Sequence, residues 1–149
     1  MAYKLREEKM NNLKEIRWKQ RFQNFDKAFC LLKKYADRVE YTELERAGLI
    51  QLFETAFELA WKVLKDYLEA EGYTVASPRE TIKKAFQIGV IKEGDIWLEA
   101  LEDRNLTSHT YDEEDALDAV ARIKENYVSI LEAIQNFLYA KISEPGGME

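Results

Sequence analysis

One cysteine, one histidine, two prolines and six glycines are all this 149-residue chain holds of the residue types that build disulfides, zinc sites and tight turns. Cys30 alone closes no disulfide within the chain, and one cysteine with one histidine does not make a zinc site from those side chains. That cysteine usage fits a reducing, cytoplasmic setting. No stretch approaches the ~18 consecutive apolar residues that a membrane helix requires, and the N-terminus mixes charges without an apolar run, so the expectation is a soluble, unexported chain. Phosphate-loop and dinucleotide fingerprints are absent too, and no cofactor is expected.

Scarce proline and glycine, with 34% charged and 46% hydrophobic residues, fit long helices with solvated faces and a real core, and argue against a β-sandwich. The length fits one domain, residues 1–149, with an ordered core at about residues 12–142. Residues 1–11 show no apolar period and read as a frayed lead-in. Trp18, Phe22, Phe25, Phe29 and Leu32 then follow 4-3-4-3 spacing, one stripe of a helix over about 12–35.

Thr42-Glu43-Leu44-Glu45 has the form of a capping box and opens a second helix, whose stripe through Phe53, Phe57, Ala60, Trp61, Leu64 and Leu68 runs to about Ala70, with Gly48 as a possible bend. Ser77-Pro78-Arg79-Glu80 starts a short helix through Phe86. A fourth helix follows Gly94-Asp95 and carries Arg104. A last one, from about Asp112, has its stripe at Ala116, Val120, Ile123, Tyr127, Ile130, Ile134 and Leu138, and the tail from Ser143 reads as loose. The expected class is all-α: an up-and-down four-helix bundle with an additional short helix.

The net charge of −6 argues against broad nucleic-acid binding. Residues 1–34 nevertheless hold ten Lys/Arg against four Asp/Glu, leaving −12 for the remainder. The first helix therefore presents either an RNA or partner surface or simply a solvated face. Asp112-Glu113-Glu114-Asp115 admits a metal hypothesis, but acids in a helix's first turn offset its exposed N–H groups, and no metal site is assigned. Trp18, Trp61 and Trp97 each lie on an apolar stripe, as core residues do, rather than as base-stacking platforms.

The chemistry-bearing run is Arg104-Asn105-Leu106-Thr107-Ser108-His109, followed by Tyr111, and it contains the chain's one histidine. Arginine is a permanently charged fork suited to phosphate, and histidine trades protons near neutral pH. On an unbroken helix, residues five apart diverge by about 140°. Either the helix ends between Arg104 and His109, or a second copy of the chain completes the site.

Taken together, Arg104-Asn105-x3-His109-x-Tyr111 resembles the Arg-polar-x3-His signature of HEPN domains, in the Arg-x4-His-x-Tyr form of HepT-type proteins and nucleotidyltransferase substrate-binding proteins. Phe57 through Lys62, Ser77 through Glu80 and Trp97 through Tyr111 are similar to that family as well, over about residues 12–140. The resemblance implies metal-independent RNA cleavage in which Arg104 holds the scissile phosphate and His109 moves a proton. It also implies a separate minimal nucleotidyltransferase chain as partner and AMP transfer to Tyr111, while one histidine per chain, unable to be base and acid at once, is a physical reason to expect a homodimer. Asn105 either orients the phosphate or His109, or caps a helix. The competing reading is a non-catalytic substrate-binding subunit, since the chain lacks the strand-borne Gly-Ser and paired-Asp pattern of a nucleotidyltransferase catalytic domain.

Overall fold

Local stop and start signals divide this chain into helices, and the computed structural model describes them over residues 2–107 and 112–144, without the side chains of residues 105–107. In order they are α1 (Ala2–Ala36), α2 (Glu43–Ala70), α3 (Pro78–Gln87), α4 (Gly94–Thr107), α5 (Glu113–Arg122), a π-turn (Ile123–Tyr127) and α6 (Val128–Ile142). No strand occurs among the described residues. Side-chain pairs set the directions. Trp18 meets Tyr67 edge-on at 5.1 Å between ring centroids while Arg38 pairs with Glu45, so α1 and α2 run antiparallel. Lys33 pairs with Glu132, and Gln135 donates to Asp26 at 2.6 Å, so α6 also opposes α1. Tyr127 reaches Glu99 and Arg122 reaches Asp103, so α4 opposes the last helix. The result is an up-and-down bundle of four long helical stretches with α3 as the short extra helix.

The capping residues do what their chemistry allows. Thr42 accepts from the Glu45 N–H at 3.2 Å while the Glu45 carboxylate accepts from the Thr42 N–H at 2.9 Å, the two halves of a capping box. Ser77 caps α3 with Pro78 in its first turn, and Asp112 caps α5 by accepting from the Asp115 N–H at 2.7 Å. Gly72, at φ +97°, lets the chain leave α2 in a conformation that side chains rarely adopt. Gly94 is required for a different reason: a Cβ there would lie 2.9 Å from the Phe86 ring, so its absence lets α4 begin directly against the end of α3.

Two expectations are corrected. Residues 2–11 are helical, not a frayed lead-in, because Lys, Glu, Arg, Met and Leu favour helix even where no face is buried and no apolar period arises. The last helix is not uniformly α, since the Val128 N–H bonds to the Ile123 carbonyl, five residues back. α2 runs through Gly48 without interruption. The expected loose tail falls largely on residues 145–149, outside the described residues.

One apolar cluster fills the bundle. Phe25, Phe29, Phe53, Phe57, Leu64 and Leu138 are fully buried, and Trp18 and Trp97 nearly so. Asp66 is the odd member, 5% exposed on the core side of α2, with the half-exposed Arg21 of α1 as its ion partner. Burial pushes its carboxyl above the usual carboxylate range, and the nearby Arg21 and Arg17 only partly offset this. A raised folded-state pKa means that the charged form opposes folding. Stability contributed by Asp66 is therefore greatest in acid and declines as pH rises through the carboxylate range. In urea titrations Asp66→Asn should be more stable than the wild type at about pH 7, and the gap should close toward about pH 3 as Asp66 takes up its own proton.

Candidate functional site

Trp97, Ala100 and Leu101 form the buried side of α4, and Arg104 is the next position on that same i, i+3, i+4, i+7 face. A cation thus stands where the helix would otherwise place a fourth apolar group. Its side chain is 22% exposed and pairs with Glu58 of α2, next to Phe57, whose ring packs on Trp97 at 5.7 Å between centroids. Glu58 is itself more open, at 37%, and also lies 3.6 Å from Lys62. Arg104 is accordingly held across the α2–α4 interface with one edge toward solvent, in keeping with the rule that a charge near a core must be paired.

The preceding residue points another way. Asp103 is 7% exposed and faces the last helix, where its carboxylate accepts two bonds from the Arg122 guanidinium, at 2.6 Å from Nε and 3.1 Å from Nη2. It also accepts from the Tyr127 hydroxyl, which lies 3.0 Å from the Glu99 carboxylate. Burial, reinforced by the Asp103 carboxylate, pushes the Tyr127 hydroxyl far above its ordinary range, so it remains a donor. Asp103 also holds the Arg122 guanidinium above its ordinary value, which keeps it charged. The Tyr127 ring stacks on Phe53 at 5.1 Å, so the hydroxyl is aimed by packing on α2. None of these polar partners follows from a spacing rule, because Asp103 is 19 and 24 residues from Arg122 and Tyr127.

Of the residues singled out in the sequence, Arg104 is placed, and the structure brings it to Glu58. The side chain of Asn105, and all of His109 and Tyr111, lie outside the described residues. α4 is described to Thr107, and Asp112 has extended backbone at φ −97° and ψ 162°, so the helix is interrupted between Arg104 and α5. Where α4 ends relative to His109 falls on residues outside the described ones. In the acidic run 112–115, Asp112 caps α5 and Glu113 lies 3.4 Å from Arg46. No group of three or more His, Cys, Asp or Glu positioned for a metal occurs among the described residues. Among the described residues no helix is long and apolar enough to cross a membrane. Glu58, Asp103 and Arg122 were given no role from sequence, and Tyr127 was read only as a member of the last helix's apolar stripe. The signal for Glu58 was indirect: an arginine at the fourth core position of α4 demands a carboxylate from a facing helix.

The sequence pattern of the family described as "Nucleotidyltransferase substrate binding protein like" matches residues 20–140, and the chain belongs to that family. It is 32% identical over 84 residues to a protein named probable ribonuclease HepT from Haemophilus influenzae. That match covers 53% of this chain and 58% of the relative, so it spans only a little over half the relative's length. A Thermus thermophilus protein of known structure is 33% identical with a TM-score of 0.72, over 80% of this chain and 99% of that one. A Haemophilus influenzae structure, described as revealing the fold of a substrate-binding domain of a nucleotidyltransferase, is 25% identical with a TM-score of 0.69, over 79% and 98%.

The two carboxylates near Arg104 should differ in their contribution to stability. Asp103→Asn disrupts a buried, multiply bonded charge and is expected to cost about 2 kcal/mol or more in chemical denaturation. Glu58→Gln weakens a partly solvated pair and should cost no more than about 1 kcal/mol.

Proposed function

We propose that this chain is the HEPN-type helical partner of a minimal nucleotidyltransferase carried on a separate chain. In this reading it acts as a metal-independent RNase, the toxin of a toxin–antitoxin pair, and is silenced by AMP transfer to Tyr111. The observation that carries it is the placement of Arg104: a guanidinium held across the α2–α4 interface, five residues before the chain's one histidine. The relative named as a probable ribonuclease supports the same direction. Arg104 would hold the scissile phosphate and the negative charge that grows on it, a role suited to a fixed cation in a partly dry setting. His109 would take the 2′-hydroxyl proton as that oxygen attacks phosphorus. The departing 5′-oxygen would receive a proton from the partner subunit's His109, leaving a 2′,3′-cyclic phosphate and a 5′-hydroxyl. One histidine cannot be base and acid at once, which is why the active form in this proposal is a homodimer.

A second reading is favoured by the Haemophilus relative described as a substrate-binding domain of a nucleotidyltransferase. In it the Arg104 region binds a substrate for a partner enzyme and cleaves nothing.

Purified protein freed of partner should be a dimer by light scattering at micromolar concentration and should cleave single-stranded RNA in EDTA. His109→Ala should lower the rate by about 100-fold or more. A metal requirement, or undiminished cleavage by His109→Ala, would replace this mechanism, and complete inactivity toward diverse RNAs would favour the substrate-binding reading. With the cognate nucleotidyltransferase, ATP and a divalent ion, an adenylylated peptide containing Tyr111 is expected, because added bulk and negative charge two residues from His109 oppose an approaching phosphate. Tyr111→Phe should resist both modification and silencing; an adduct elsewhere, by mass spectrometry, would move the control point.

A further inference from the structure

In a regular α-helix Arg122 and Tyr127, five residues apart, would diverge by about 140°. The π-turn changes this. Its i→i+5 bond closes one turn on residues five apart, so both side chains arrive on one side of the helix and meet the same carboxylate. We infer that Asp103, Arg122 and Tyr127 are positioning residues for Arg104, and that the π-turn is the element that makes this clamp possible. The inference rests on the reading of Arg104 as the group that holds a phosphate.

Three observations carry it beyond ordinary stabilisation. Asp103 and Arg104 are consecutive in the last described turns of α4 and are drawn in different directions, Asp103 to the π-turn and Arg104 to Glu58 of α2. That end of the helix is therefore fixed from two sides, and its rotation sets where the guanidinium lies. Secondly, a buried ion pair is a poor route to stability compared with apolar packing, whereas it does specify geometry. Thirdly, Tyr127 already packs on Phe53 through its ring, so a phenylalanine would fill the same space; the hydroxyl adds a bond to Asp103 and little volume. π-turns are uncommon and recur at functional sites, which agrees with a geometric role.

Tyr127→Phe is the sharpest test, since it keeps the ring and removes one bond. Two properties of the full-length chain are read: the kinetics of single-stranded RNA cleavage, and the side-chain Nε–Hε signal of Arg104 in a ¹H–¹⁵N spectrum, identified by its loss in Arg104→Lys. The variant should lower kcat by about 10- to 100-fold, with KM changed less than about threefold, as expected when a transition-state contact is displaced and ground-state binding survives. The Arg104 signal should shift although the bond removed is one to Asp103. Asp103→Asn, where it folds, should do both more strongly. Leu138→Ala, a fully buried substitution in α6, supplies a comparison in which stability falls and neither property changes. An Arg104 signal that stays in place in Tyr127→Phe, or a kcat loss no larger than that of Leu138→Ala, overturns the inference. Should the wild type neither bind nor cleave RNA, the reading of Arg104 fails, and the spectrum still decides the clamp: a shifted signal upholds it and an unmoved one refutes it.

Discussion

The Asp103 carboxylate is the tie on which the geometry of the Arg104 end of this bundle depends. It lies nearly out of water and accepts from Arg122 twice and from Tyr127 once, and those two residues belong to the helix opposite its own. A carboxylate has about four acceptor positions, so this one is almost fully used. The Tyr127 hydroxyl has a single proton to give and two carboxylates beside it, Asp103 and Glu99. Shared between them, it links α4 to the last helix at two successive turns, and the Arg122 cation offsets the negative charge thus concentrated.

Around that tie the bundle places charge where apolar groups are the norm, and each instance is handled by the same physics. Arg104 occupies a core position of α4 and finds Glu58; Asp66 occupies one on α2 and finds Arg21. The difference lies in solvent. Asp66 is deep and is pushed toward its neutral form, whereas Glu58 and Arg104 keep contact with water and together form a polar seam between α2 and α4. Family membership fits this arrangement. The compared Thermus and Haemophilus structures match this bundle over almost their whole length, so the framework is common to them.

Much of the fold was legible because its signals are local. The Thr42–Glu45 box, Ser77 before Pro78, and the Trp18–Leu32 stripe each state a start or a face within a few residues, and the structure uses them as read. Periodicity failed where burial and helicity part company. Residues 2–11 are helical with no buried face, and a helix recognised only by its buried stripe goes unseen there. The π-turn was hidden for the opposite reason: the 4-3-4-3-4-4 spacing from Ala116 to Leu138 fits a regular helix equally well. At the site, Arg104 stood out by residue type, but its supports did not. Asp103, Arg122 and Tyr127 are ordinary letters at long separations, brought together by tertiary packing alone, and Glu58 lies 46 residues away.

The extra residue held in the π-turn also bears on how this segment tolerates change in length. Taking one residue out between Arg122 and Tyr127 would leave an ordinary helical turn, in which the same arginine and tyrosine, now four apart, still share a face. The helix is thus able to gain or lose a residue at this point and keep both groups turned toward one acceptor. A family built this way would show a one-residue gap in the middle of an otherwise continuous helix, flanked by an arginine on one side and a tyrosine on the other.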